Sequence, residues 1–87
     1  MPYFLYLARC RDNSLYCGIT TDLKRRLAEH NSLSKKAAKY TRGRYPVKLV
    51  YWEKFDTRAD ASVREAEIKN WPKNKREELA AIVYNCK

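Results

Sequence analysis

Alternation of apolar and polar side chains predicts two strands near the start of the chain. Residues 3–10 form the first and residues 14–20 the second, with residues 11–13 as the turn of an antiparallel β-hairpin. Gly18, one of only 2 glycines in the chain, interrupts the second strand. A glycine at such a place indicates a bend or the close approach of another group.

A helical pattern follows the hairpin directly. Thr21 suits its N-cap and Asp22 its first turn. Leu23 and Leu27 then form an apolar stripe four residues apart, and Asn31 ends the helix.

Residues 32–46 show no sustained period and predict a basic loop that contains tyrosines. Alternation returns at residues 47–55 and predicts a third strand. The apolar face of this strand is expected to comprise Val47, Leu49, Tyr51 and Phe55.

Two further helices are predicted after this strand. Asp56 or Thr57 can cap the first, which ends near Asn70 because Pro72 disfavours a helical conformation in the residue before it. Pro72 then opens the last helix. The buried stripe of that helix is expected to comprise Leu79, Ile82 and Val83.

The order of these elements is ββαβαα. A chain of 87 residues supports one core, so residues 1–87 are predicted to form a single small domain. The fold class that this order favours is α+β, with a three-stranded antiparallel sheet flanked by helices.

The charge balance of the chain is strongly basic, with 19 Lys and Arg against 10 Asp and Glu and a net charge of +9. A small domain with this excess is expected to bind a polyanion, nucleic acid before an anionic membrane surface. No segment approaches the roughly 18 to 20 apolar residues of a membrane span, so we expect a cytoplasmic protein. The 3 cysteines have no metal-ligand spacing and are expected to be free thiols.

Two side chains of the first helix can point at a common target. On an ideal helix with Leu23 at 0°, Arg26 falls at about 300° and His30 at about 340°, beside the apolar stripe. Arg25 falls at about 200°, on the solvent side. A simpler alternative is that Arg26 lays its stem on the core edge and His30 only complements the helix dipole. A phenol and a glycine just upstream favour a phosphate site where the strand meets the helix.

Taken together, these residues resemble the GIY-YIG endonuclease domain, in particular its small stand-alone YhbQ-like bacterial branch. The triplet FLY at residues 4–6 stands at the place of Gly-Ile-Tyr, and YCG at residues 16–18 stands at the place of Tyr-Ile-Gly. Arg26 and His30 follow the second motif as on the family's helix. The resemblance covers about residues 3–79, but the first motif lacks its glycine and isoleucine, so only its tyrosine can do chemistry.

The resemblance implies a single divalent metal, Mg²⁺ or Mn²⁺, held by a glutamate on the next helix. Glu65 stands at that place, although the residues alone leave the choice between Glu65 and Glu67 open. The simpler alternative for Glu65 is an i, i+4 ion pair with Lys69. A site with one carboxylate suits Mg²⁺, which keeps several waters and takes further ligands from phosphate.

The resemblance also implies a metal-dependent endonuclease that hydrolyses phosphodiester bonds in DNA, selects structure rather than sequence, and acts in repair or recombination. The alternative is a nucleic-acid-binding module on the same fold with little or no nuclease activity. The implied catalytic residues are Tyr6, Tyr16, Arg26, His30 and Glu65. Single-stranded or branched DNA is the expected partner of the basic loop, whose candidate contacts are Lys35, Lys36, Lys39, Tyr40, Arg42 and Arg44.

The length of the hairpin turn tests whether such a site can form. A two-residue turn would place Tyr6 and Tyr16 on opposite faces of the sheet. A three-residue turn pairs Cys10 with Ser14 and puts both phenols on one face, beside Gly18. We therefore predict a turn of odd length or a bulge.

Overall fold

The computed structural model describes the backbone of residues 1–31 and 46–85, and the side chains of these residues up to residue 81. The described residues form a three-stranded antiparallel sheet and three helices in the predicted order ββαβαα, which confirms the α+β fold. The elements are β1 (Tyr3–Arg9), β2 (Leu15–Thr20), α1 (Leu23–His30), β3 (Lys48–Phe55), α2 (Arg58–Lys69) and α3 (Lys73–Asn85).

The sheet has the strand order β2-β1-β3, so β1 is central and β2 and β3 are its edges. On one face, Leu5 and Leu7 of β1 pack with residues of α2 and α3. On the other face, Tyr6 and Ala8 pack with the two leucines of α1. All four side chains are at most 3% exposed. Because β1 is buried on both faces, it carries apolar residues on both.

The β1–β2 hairpin has a three-residue turn, as predicted. The backbone N–H of Cys10 donates to the carbonyl of Ser14 at 2.8 Å, which leaves residues 11–13 as the turn. Asn13 has a φ of 70°, in the left-handed region that asparagine tolerates better than most residues. A left-handed third residue is typical of three-residue hairpin loops.

This register places the two tyrosines together. Tyr6 lies opposite Gly18, and Ala8 lies opposite Tyr16. Residues directly opposite each other share a face of an antiparallel pair, so both phenols lie on the face that α1 covers. The predicted common face is confirmed.

Strand β3 departs from prediction because it contains a β-bulge. Its pairing with β1 shifts register between Leu7 and Ala8. Their partners are Tyr51 and Leu49, so Val50 is an extra residue in β3. The extra residue exchanges the faces, because the period of a strand is two. The prediction that one face comprises Val47, Leu49, Tyr51 and Phe55 is wrong, since the first two pack on the α1 face and the last two on the α2–α3 face.

The N-cap of α1 is Asp22, whose carboxylate accepts a hydrogen bond from the N–H of Arg25 at 3.0 Å. The prediction of Thr21 as N-cap is wrong. The hydroxyl of Thr20 accepts from the Asp22 N–H at 3.1 Å and so fixes Asp22 in the extended conformation that an N-cap needs.

The starts of α2 and α3 agree with prediction. Thr57 caps α2 by accepting from the N–H of Asp60 at 3.2 Å, which decides between the two candidate caps. The carbonyl of Pro72 accepts from backbone N–H groups in the first turn of α3, so Pro72 directly precedes that helix. Leu79 is buried as expected, whereas Ile82 and Val83 lie outside the described side chains.

Asn31 ends α1, as predicted, and also joins it to β3. Its side-chain amide accepts from the N–H of Val47 at 2.6 Å and donates to the carbonyl of the same residue at 3.0 Å. This bidentate contact holds the start of β3 next to the end of α1.

Replacing Asn31 with Ala should lower the free energy of unfolding by about 1 to 3 kcal/mol, because both backbone groups of Val47 lose their partner. Urea unfolding measures the change. The matched control is Asn70→Ala at the equivalent end of α2, where the cap bonds come from the backbone N–H of Asn70. Equal losses in the two variants would contradict the role given to Asn31.

Candidate active site

A buried hydrogen bond links the central strand to the end of α1. The Tyr6 hydroxyl lies 2.7 Å from Nε2 of His30, and the two residues are 3% and 0% exposed. Burial raises the pKa of Tyr6, and the hydrogen bond from Arg26 only partly offsets it. Burial, with the positive charge of Arg26, lowers the pKa of His30 to about 4. At neutral pH the imidazole is therefore neutral, and we infer that the phenol donates the hydrogen bond to its Nε2.

Tyr16 completes an aromatic cluster with these two residues. Its ring meets His30 edge to face, with centroids 5.2 Å apart and an interplanar angle of 67°. Its centroid lies 6.2 Å from that of Tyr6. Tyr16 is only partly buried, so it is the member of the cluster with access to solvent.

Gly18 makes room for this cluster. A Cβ atom added there would lie 2.6 Å from the Tyr6 hydroxyl oxygen and 3.0 Å from a ring carbon of Tyr16. The close approach that the glycine indicated is confirmed, and the group that approaches is Tyr6.

Arg26 lies at the border of the cluster, partly buried, as the helical geometry predicted. Its Nη1 forms an ion pair with Oε1 of Glu29 at 2.8 Å. Burial alone would lower the pKa of Arg26, but its interactions with Glu29 and Tyr6 raise the pKa by more than burial lowers it. The net pKa is raised, so the guanidinium stays charged. Arg25 is 57% exposed, on the solvent side.

The sequence interpretation missed Glu29. Its carboxylate contacts Arg26 at i, i+3 and lies 3.7 Å from Nε of Arg25 at i, i+4. Those spacings are the signal that could have found it, because residues three and four apart are neighbours on a helix.

Glu65 lies on the other side of the edge strand β2. Its side chain is 24% exposed and forms an ion pair with Lys69 at 3.0 Å, which is the contact that the simpler sequence interpretation predicted. Burial raises the pKa of Cys17, and the negative charge of Glu65 raises it further. Glu65 therefore lies near Cys17 in β2. Glu67 is 55% exposed and pairs with Arg64 at 3.5 Å. Of the two glutamates, Glu65 is thus the one that faces the sheet.

The five predicted catalytic residues therefore flank one strand. Four gather on the α1 face, and Glu65 lies on α2 beyond the opposite face. Tyr16 and Cys17 are neighbours in β2 whose side chains point to opposite faces, so the edge of β2 is where the two halves meet.

The donor set fits a divalent metal that needs few protein ligands. Glu65 offers one hard carboxylate, partly exposed, which is what Mg²⁺ or Mn²⁺ takes when phosphate and water supply the other ligands. No group of 3 or more His, Cys, Asp or Glu side chains suited to hold a metal occurs among residues whose placement is described. The predicted nucleic-acid contacts Lys35, Lys36, Lys39, Tyr40, Arg42 and Arg44 lie outside the described residues.

Comparison with known proteins decides the family. The family model of the GIY-YIG catalytic domain matches residues 2–78. The chain belongs to the GIY-YIG family. This GIY-YIG chain is 51% identical over 78 residues to a UPF0213 protein of Haloquadratum walsbyi, across 90% of this chain and 85% of the relative. It is 43% identical over 77 residues to a UPF0213 protein of Staphylococcus saprophyticus, across 88% and 92%.

Two solved structures share the GIY-YIG chain's fold. A solution NMR structure of a UPF0213 protein from Bacillus halodurans is 40% identical and has a TM-score of 0.60, covering 94% of this chain and 85% of that one. Another, of a protein from E. faecalis, is 36% identical with a TM-score of 0.63, covering 100% and 90%. The resemblance that the two motifs indicated is confirmed. Within the described part of the chain, no helix has the length and apolar character needed to cross a bilayer.

Buried His30 should make the stability of the protein depend on pH. Its pKa is lowered from 6.5 to about 4, so between these values the unfolded chain binds a proton that the folded chain does not. This contribution is complete above pH 6.5 and is lost as the pH falls toward 4, by up to about 3 kcal/mol. Urea unfolding from pH 7.5 to 4.5 should show this loss in the wild type. His30→Gln keeps an acceptor for Tyr6 and should show a shallower dependence; identical curves would contradict the assignment.

Replacing Gly18 with Ala should destabilise the protein by about 1 to 3 kcal/mol, because the added methyl overlaps the Tyr6 hydroxyl. A double-mutant cycle with Tyr6→Phe tests the cause, since Phe lacks the nearest clashing atom. We expect Gly18→Ala to cost less in the Tyr6→Phe background. Additive losses would show that the Tyr6 hydroxyl is not what excludes a side chain at residue 18.

Proposed function

We propose that this GIY-YIG protein is a divalent-metal-dependent endonuclease that hydrolyses phosphodiester bonds in DNA. The observation that carries the proposal is the set of groups around Tyr6, which is hydrogen-bonded to His30, packs beside Tyr16 and is close enough to Arg26 for the guanidinium to act on its pKa. A charged guanidinium beside two phenols can bind a phosphate and stabilise the charge that develops on it. The net charge of +9 supports a polyanionic substrate.

We propose different tasks for the two tyrosines. Tyr6 is 3% exposed and uses its hydroxyl in the hydrogen bond with neutral His30, and burial raises its pKa, so it stays protonated and is unsuited to act as a base. We assign it to position Arg26. Tyr16 is more accessible and lies over the edge of the imidazole, so it is the phenol that would orient the attacking water.

Glu65 would hold Mg²⁺ or Mn²⁺ across the edge of β2. The bound metal would act as a Lewis acid on the phosphate oxygens. To bind substrate, Arg26 must exchange at least part of its contact with Glu29 for a phosphate oxygen, and Glu65 must release Lys69.

These internal pairs also favour the second candidate, a DNA-binding module with little or no nuclease activity. Both charged groups of the proposed site already have an intramolecular partner at 3.0 Å or less. A site that kept those partners in the presence of DNA would bind it without cutting.

The finer parts of the proposal are a preference for single-stranded or branched DNA, a task in repair or recombination, and a cytoplasmic location.

Cleavage of end-labelled single-stranded, nicked and branched DNA tests the proposal, with Mg²⁺ or Mn²⁺ present. Glu65→Gln and Arg26→Ala should each slow cleavage by about 100-fold or more, in line with the loss of a group that stabilises the transition state. The matched controls are Glu67→Gln on α2 and Lys24→Ala on α1, both exposed and both expected to cut like the wild type. Salt-sensitive binding without cleavage of any substrate by the wild type would instead support the binding module.

A further inference from the structure

We infer that one DNA strand binds along the edge strand β2, with its phosphates held by a pair of cations at each end of that strand. The inference rests on the proposed function and names the surface that would hold its substrate. Of the two sheet edges, β2 (LYCGIT) carries no charged side chain, whereas β3 carries two lysines and a glutamate. Charges on an edge strand are a usual protection against pairing with other chains, and β2 lacks it.

The first cation pair lies at the end of β2, where the strand turns into α1. A cavity of about 180 Å³ opens there between β2, α1 and α2. Arg25 and Arg58 both line it, together with the hydroxyl groups of three residues. Of the described residues around this cavity, none is acidic, so its charge suits an anion. The hydroxyl residues are Tyr3, Thr20 and Thr21.

The second cation pair lies at the start of β2. A cavity of about 160 Å³ there is lined by Lys73 and Arg76 of α3, with Ser14, Leu15 and Glu77 completing its wall. The charge of Glu77 is already committed, because both of its carboxylate oxygens accept from Arg9 at 2.6 Å. The cavity therefore has an excess of positive charge.

Arg76 also has a hydrogen-bond donor that is not satisfied within the described part of the chain. Its Nε atom is buried and has no hydrogen-bond partner in the part of the chain that the structure describes. A buried donor without a partner is costly, so such groups are normally satisfied by a ligand or by ordered water. An anion in the adjoining cavity is a suitable partner for this side chain.

Helix α2 places the proposed metal site between the two pairs. Arg58 is its first residue and Lys69 its last, and the charges of Lys69 and of Arg76 from the second pair both act on Cys17 in β2. Glu65 follows Arg58 by seven residues, about 10 Å along a helix. A strand that spans both pairs would thus cross Glu65 within its length.

Salt dependence of binding tests this path, because each phosphate contact on single-stranded DNA contributes about 0.7 to the slope of log K against log salt. Binding of a fluorescent 12-nucleotide strand is measured by anisotropy in EDTA, where metal-dependent cleavage does not interfere. Arg25→Gln/Arg58→Gln and Lys73→Gln/Arg76→Gln should each reduce the slope by about 1.4. The control Lys48→Gln/Lys54→Gln removes the same charge from the opposite edge strand and should leave the slope unchanged.

A further variant separates charge from folding. Arg76→Lys keeps the positive charge and should retain a slope close to that of the wild type. If all three double variants change the slope equally, or none changes it, the path along β2 is overturned while the nuclease proposal stands. If the wild type shows no salt-dependent binding, the proposed function fails as well.

Discussion

A single buried hydrogen bond, from the hydroxyl of Tyr6 to His30, ties the last residue of α1 to the central strand. At 8 residues α1 is too short to be stable alone, since isolated helices below about 12 residues are marginal in water. Two buried polar groups satisfy each other here, and neither has water as an alternative partner. Other features of the site follow from that bond. The hairpin needs a three-residue turn to bring Tyr16 to the same face, and residue 18 must lack a side chain for the Tyr6 hydroxyl to reach the imidazole.

Much of this arrangement could be predicted, because the features involved are local in the sequence. The count of turn residues fixed the register of the hairpin, and the 100° step of a helix separated Arg26 from Arg25. The bulge at Val50 could not be found in this way. It depends on how β3 pairs with β1, some forty residues earlier, and both faces of β3 carry apolar residues whichever register is assumed. The predicted N-cap of α1 was wrong for a different reason: both candidates suit the position, and the hydroxyl of Thr20, by accepting from the Asp22 N–H, selects Asp22.

Several glutamates of the protein each form an ion pair with a specific arginine or lysine. Glu77 binds Arg9 through two oxygens, and Glu53 binds Arg64, which also lies over the ring of Trp71. Exposed ion pairs contribute little to stability, but these side chains are only partly exposed and several have two or more bonds. With 10 acids against 19 bases, such pairing leaves an excess of positive charge that stability does not explain. A polyanionic partner accounts for it without further assumptions.

Within the candidate site, ion pairing of the same kind stabilises the positive charge of Arg26. A partly buried guanidinium next to a neutral imidazole would be costly without a counter-charge, and Glu29 supplies one at 2.8 Å. A phosphate could take over that task because it offers the same kind of oxygen acceptors to the same guanidinium. Lys69 supplies the counter-charge of Glu65, as Glu29 does for Arg26. A divalent cation could replace the ammonium group of Lys69 there. A substrate phosphate would replace Glu29 beside Arg26, and its metal would replace Lys69 beside Glu65, so each internal partner gives way to a group of the same sign. Because one incoming group is negative and the other positive, binding both together keeps the charge of the site better balanced than binding either alone.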